Sequence, residues 1–319
     1  MRRLARAITL VLLALGMMTA SMTGLAAQDS DKPVVTVGSK DFTEQLIVAE
    51  MVALMLEDAG YPVERQINLG GTAVVHQALV NDEIDVYVEY TGTGLLALLE
   101  MELPETTADG ATPADGSGTA GQDQVYDIVA AEYAERFGLE WLQPWGFNNT
   151  YAIAVTRATA EEYDLQTISD LENANGELVL GATQEFLVRP DGLPGLTELY
   201  GIEFEDAQGL DPGLVYAALE EGSVDVITAT ATDGRIPALD LVVLEDDKGF
   251  FPPYYAAPVV DAELLAEYPE IRDILNQLAG TIDDETMANL NFRVDDGGEE
   301  PIDVARSYLE EQGIIGSDS

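Results

Sequence analysis

The chain has 319 residues, enough for two lobes of ordinary size, and its 59 acidic residues against 14 Lys and Arg give a formal charge of −45. With 47% hydrophobic residues it can build a core, so the acidity belongs to a surface and does not signal wholesale disorder. Lysine occurs only at Lys32, Lys40 and Lys248, cysteine is absent and His76 is the single histidine. These counts exclude a nucleic-acid partner, thiol or disulfide chemistry, and metal sites built from cysteine or paired imidazoles, and no cofactor is expected.

The predicted elements begin with a leader. Residues 1–27 combine a basic start (Arg2, Arg3, Arg6), an apolar run from Ile8 to Met18, and small residues ending at Ala26 and Ala27. That is the build of a signal peptide; the apolar run is too short for a membrane span. Its removal would leave 59 acidic residues against 11 basic ones, a formal charge of −48. No cysteine stands near the cut, so the expectation is an exported protein, in the periplasm or at the extracellular face, not lipid-anchored through Cys.

Strand Val34–Val37, a helix from about Thr43 to Ala59, strand Val63–Ile67, a helix from Thr72 to Leu79 and a strand from Ile84 to about Tyr90 follow in order. This β-α-β-α-β order belongs to a parallel sheet with crossover helices. Residues 104–124, rich in Gly, Ala, Thr and Asp, read as a flexible insertion before a helix from Val125 to Phe137. A second unit repeats the plan: a strand at Leu178–Gly181, a helix from Gly192 to Tyr200, a short strand near Phe204, a helix from Pro212 to Glu221 and a strand at Val224–Ile227. Ala78-Leu79 and Asp85-Val86 match Ala218-Leu219 and Asp225-Val226 at an offset of 140, which points to two similar lobes. The fold class is α/β with each lobe a mainly parallel sheet flanked by helices. Two hinge crossings, near Asn148–Tyr151 and Phe251–Val260, divide lobe 1 (33–148 and 257–319) from lobe 2 (149–256), with C-terminal helices, one of them from Asp283 to Asn291, returning to lobe 1.

Open parallel sheets bind ligands beyond the carboxyl ends of their strands. That rule selects Lys40 to Thr43, Gly70 to Thr72 and Tyr87 to Thr93 in the first unit. In the second it selects Thr183 to Glu185, Arg189 and Thr230 to Gly234, and the crossings add Tyr151 and Tyr254-Tyr255. Helix N-termini with Lys40 and Arg189 suit a small carboxylate, and tyrosine faces suit a cation.

The motifs Gly38-Ser39-Lys40-Asp41-Phe42-Thr43-Glu44-Gln45, Gly70-Gly71-Thr72, Tyr87-Val88-Glu89-Tyr90-Thr91-Gly92-Thr93, Asn148-Asn149-Thr150-Tyr151 and Thr232-Asp233-Gly234-Arg235 resemble those of the substrate-binding proteins of osmoprotectant ABC transporters. The resemblance covers essentially the whole chain after the leader, apart from the insertion. It implies a two-lobed periplasmic-binding-protein fold of type II that closes on glycine betaine, choline, carnitine or proline betaine and delivers it to a permease with its ATPase. A monomer without enzymatic activity is expected.

By motif, the resemblance places cage tyrosines at Tyr90, Tyr151 and Tyr254, and polar or carboxylate partners at Lys40, Thr93 and Arg189. Two positions depart from it: Thr230 stands where many relatives have an aromatic, and Asn149 where some have an acidic residue. The repeat makes Thr230 the counterpart of Tyr90, so a cage open on the second-lobe side and weaker quaternary-ammonium binding are expected. Glu44 and Glu89 read as capping and hinge-side contacts, His76 as a packing residue, and Asp295 to Glu300 as a solvated turn and not a calcium loop. Other readings are a receptor for choline or an amino acid, an α/β hydrolase, which lacks a Gly-x-Ser-x-Gly elbow here, and a sensory or adhesive module.

Overall fold

A computed structural model describes residues 32–103 and 119–316. The expected leader and most of the expected insertion lie outside the described residues. The insertion's far boundary is corrected, because the helix after it starts at Thr119 and not at Val125, and runs to Phe137. Val125, Val129 and Tyr133 anchor its inner face, and the helix extends N-terminally through polar residues that need no apolar partner once it is nucleated.

Among the described residues ten strands follow in chain order: β1 (Val35–Lys40), β2 (Val63–Gly70), β3 (Val86–Tyr90), β4 (Leu139–Trp141), β5 (Tyr151–Val155), β6 (Val179–Thr183), β7 (Asp206–Leu210), β8 (Val226–Thr230), β9 (Val242–Leu244) and β10 (Ala256–Asp261). They form two five-stranded sheets, ordered β2-β1-β3-β10-β4 and β7-β6-β8-β5-β9. In each sheet the first three strands are parallel, and the fourth, β10 or β5, is antiparallel to its neighbours. The two orders correspond strand for strand. The chain passes to the second sheet between Trp141 and Tyr151 and returns between Leu244 and Ala256, and the two passages pair through an Asn148–Tyr255 bridge.

β3 is buried on both faces. Val86, Val88 and Tyr90 pack with Ile47 and Met51 of helix α1 (Thr43–Asp58), while Tyr87 packs with Val75 and Leu79 of helix α2 (Thr72–Val80). This explains its run of large apolar residues, which lacks the polar alternation of a strand with one wet face. The repeat at offset 140 also has a physical cause. The Asp85 carboxylate accepts from the Thr36 N–H at 2.6 Å and its own N–H donates to the Thr36 carbonyl at 2.8 Å; Asp225 makes the same pair of bonds with Val179, both at 2.9 Å. Each Asp clamps the start of the central strand to its parallel neighbour. The turn before it needs a left-handed residue, supplied by Asp82 (φ 57°) in one lobe and Gly222 (φ 69°) in the other.

The strand expected near Phe204 begins two residues later, at Asp206, where the parallel register with β6 sets it. The helix expected to end at Asn291 continues to Asp295. Among the described residues no helix is long and apolar enough to cross a membrane.

Candidate functional site

The carboxyl ends of β1, β3, β6, β7 and β8 converge on a cavity of about 480 Å³ between the two sheets. Lys40, Tyr90, Thr93, Asn149, Tyr151, Arg189, Thr230 and Tyr254 all line it. The strand-end rule therefore brings the expected residues into one place. What their side chains do there differs from expectation in several cases.

Lys40, at the end of β1, is 3% exposed, and its Nζ lies 2.5 Å from Oε1 of Glu89, at the end of the neighbouring β3. Glu89 also accepts from the Tyr87 hydroxyl at 3.2 Å and from the Tyr90 N–H at 2.7 Å. Glu89 is thus the counter-ion of Lys40 and not a hinge contact. The same ammonium stands 5.1 Å from the Tyr90 ring centroid, and the Phe42 ring stacks on Tyr90 at 6.2 Å.

Glu44 corrects a second expectation, since it does not cap its helix. Its carboxylate, in the first turn of α1, accepts from the Tyr90 hydroxyl (2.7 Å), Asn149 Nδ2 (2.6 Å), Thr232 Oγ1 (2.5 Å) and Asn291 Nδ2 (3.0 Å). These donors come from β3, a crossing segment, the loop after β8 and the helix Asp284–Asp295, so one side chain ties the first lobe, the hinge and the second lobe together. Burial pushes its carboxyl above the ordinary 4.5, opposed by the bonds from Thr232, Tyr90, Asn291 and Asn149. Asn149, which departs from the acidic residue of some members of the resembled family, serves this carboxylate as a donor.

Arg189 holds Asp191 in a two-pronged pair, Nε to Oδ1 at 2.8 Å and Nη2 to Oδ2 at 2.5 Å, and Nη2 also donates to Thr93 Oγ1 at 3.2 Å. The Tyr254 hydroxyl donates to the same Asp191 at 2.7 Å. Tyr151 meets Tyr254 edge-on at 5.6 Å and Phe186 at 5.0 Å, with Phe251 tilted against it at 5.7 Å. Burial pushes the Tyr151 hydroxyl up to about 12, so it remains a neutral donor at physiological pH. Thr230 pairs with Tyr151 across β8 and β5 and occupies the end of β8, as Tyr90 does of β3.

Two contacts close the cavity rim. Glu185, in the first turn of the helix Gln184–Val188, reaches across to α2 and accepts from the Thr72 N–H at 2.6 Å and the Thr72 hydroxyl at 3.0 Å. A Cβ on Gly71 would stand 2.3 Å from that carboxylate, so glycine leaves room for this approach and a larger residue would push the Glu185 side chain aside. On the other rim Arg235 pairs with Asp233 at 2.6 Å and with Asp295 at 3.4 Å, while Asp295 accepts from Thr43 Oγ1 at 2.5 Å. Asp295 thus belongs to the cleft and not to a solvated turn, because the added helical turn after Asn291 carries it there. His76 is 8% exposed, packs edge-on against Tyr133 and Phe137, and does not line the cavity.

The strand-end rule selected Glu185 without foreseeing its partner, and the cleft residues that sequence reasoning did not select are Glu44, Asp191, Asn291 and Asp295. Asp191 carried one local signal, an acid two residues from Arg189. The others meet partners up to 252 residues away.

The chain matches, over residues 33–311, the family described as the substrate binding domain of ABC-type glycine betaine transport system. It is 34% identical over 298 residues to the carnitine transport binding protein OpuCC of Listeria monocytogenes serotype 1/2a (strain 10403S), covering 92% of this chain and 91% of that protein. It is also 34% identical over 285 residues to the ergothioneine transport permease/ergothioneine binding protein EgtU of Helicobacter pylori (strain G27). That match covers 89% of this chain and 48% of the relative, about half its length. A solved structure described as a glycine betaine/carnitine/choline ABC transporter aligns with a TM-score of 0.69 and 33% identity, covering 88% of this chain and 100% of that one.

Proposed function

Since the chain belongs to the family of substrate-binding domains of ABC-type glycine betaine transport systems, we propose that it is an exported receptor that captures a small quaternary-ammonium solute and hands it to an ABC permease with its ATPase. The observation that carries this reading is the cavity itself: an interlobe space at the strand ends into which Tyr90, Tyr151 and Tyr254 all project wall surface, with Phe42 beside them. A trimethylammonium group spreads its charge over methyl groups, so it favours aromatic faces, each worth about 0.5–2 kcal/mol according to how far it is desolvated. The receptor acts by closure and does no chemistry on its ligand. Rim contacts such as Glu185 with Thr72 and Arg235 with Asp295 form only when the two lobes meet, so they couple capture to a shape that a permease can sense.

Thermal-shift and calorimetric titration of the protein without its leader, against glycine betaine, choline, carnitine, proline betaine, ectoine and amino acids, tests the reading. Saturable binding of quaternary amines, lost in Tyr151→Ala, is the expected result. Absence of any response to quaternary amines overturns it.

A further inference from the structure

Two cations and two helix N-termini of the cavity are suited by charge to hold a ligand's negative group, and each already faces a carboxylate of the protein. Lys40 is paired with Glu89. The N–H at the start of α2 and the Thr72 hydroxyl donate to Glu185. Arg189 stands between Asp191 at 2.5 Å and Glu185, whose Oε2 is 3.8 Å from Nη1, the guanidinium nitrogen left over by Asp191 and Thr93. At the start of α1 the Thr43 hydroxyl is given to Asp295 and the first turn carries Glu44. The remaining cation of the wall, Arg235, is paired with Asp233 and Asp295. Glu44 itself is held by neutral donors alone.

A ligand carboxylate entering this space would meet no cation without a carboxylate partner and at least one carboxylate at close range. A ligand bearing only positive charge would meet none of that repulsion. Glu185 is the decisive group among these. It faces two of the four features at once, and at 39% side-chain exposure it is the most open of their resident carboxylates.

Resting on the quaternary-ammonium reading above, we infer that the site selects a net monocation, a quaternary ammonium without an anionic group, and that Glu185 sets this preference by occupying α2 and facing Arg189. Choline and glycine betaine are matched probes, since they share the trimethylammonium head and differ in a hydroxymethyl against a carboxylate. Calorimetry on the wild-type protein at fixed salt should give a Kd for choline at least about tenfold below that for glycine betaine. Glu185→Gln keeps an amide oxygen for the Thr72 N–H and removes the charge. It should shrink that ratio by about tenfold, chiefly through tighter glycine betaine binding.

A merely structural Glu185 would weaken both ligands alike and leave the ratio unchanged, which overturns its assignment. Glycine betaine binding as tightly as choline to the wild type overturns the charge preference while the receptor reading stands. Failure of choline, glycine betaine and carnitine together overturns the receptor reading, and this inference with it.

Discussion

Replacing Glu44 by alanine removes the acceptor shared by four buried donors. Asn291 Nδ2 keeps a second partner, the Thr232 carbonyl at 2.8 Å, but the Tyr90 hydroxyl, Asn149 Nδ2 and Thr232 Oγ1 lose the acceptor they have. A buried donor without an acceptor costs about 1–3 kcal/mol, so three such losses span about 3–9 kcal/mol. Water entering the vacated space satisfies some of them, and the substitution also relieves the desolvation of a buried carboxylate, so the lower end applies: about 3–4 kcal/mol. Urea denaturation followed by far-UV dichroism measures it, with the slope checked for constancy so that the midpoint shift reports stability. Because Asn149 and Thr232 lie on the hinge and second-lobe sides, ligand affinity should fall as well, even though the alanine removes no aromatic face. Glu44→Gln retains one acceptor oxygen and should lose less than half as much. A loss below about 1 kcal/mol in Glu44→Ala would refute the claim that this carboxylate holds the lobes in register.

Thr230→Tyr restores an aromatic at the counterpart of Tyr90 and should tighten quaternary-ammonium binding by about 0.5–2 kcal/mol in calorimetry; an unchanged Kd would show that the second-lobe side needs no further face. Burial of carboxyls should make stability rise as pH drops toward the carboxylate range, once past the window near the ordinary 6.5 where buried His76, held below that value by desolvation, works in the opposite sense. Burial raises the carboxyls of Glu44, Asp85, Asp284 and Asp295, so between the ordinary carboxylate range and their folded values the native state binds more protons than the unfolded chain. By linkage, stability falls as pH rises through that window and is regained as pH drops back. The oppositely shifted Asp170, Asp240, Asp247, Asp283 and Glu299 withdraw stability only at more acidic values. Urea midpoints across pH check the sign. Melting temperature should also rise with NaCl, because a chain carrying a formal charge of −45 is self-repelling until screened; a flat or falling curve would remove that account of the acidity.

The strand and helix order was readable because each element carries its own period and the two lobes carry it twice. The Asp85 and Asp225 clamps show why the repeat survives in the letters: one backbone junction recurs, and a carboxylate that accepts an N–H while its own N–H is donated satisfies it both times. The membership of the cavity was readable for a related reason, since strand ends of a parallel sheet are fixed once the strands are, and no partner needs to be known. The helix from Thr119 and the added turn to Asp295 were not readable, because solvent-facing and cleft-facing polar residues lack the apolar stripe by which helices announce their limits.

Charge pairing resisted for a different reason. Lys40 and Arg189 look free in a linear reading and so suggest a hold on a ligand's carboxylate. Lys40 meets Glu89 because β1 and β3 lie side by side with their ends level, and that adjacency is a property of sheet order, with β2 placed outside β1. A β-α-β-α-β string is compatible with other orders in which the two side chains never meet. The opposing carboxylate of Glu185 depends on more still, since it needs both lobes to exist and to close before it reaches Thr72. Which cations are neutralised is therefore decided at the tertiary level, and with it the charge a ligand must bring. The same tyrosines can serve a zwitterion or a monocation, and it is the buried carboxylates behind Lys40 and Arg189, together with Glu185 across the cleft, that distinguish the two.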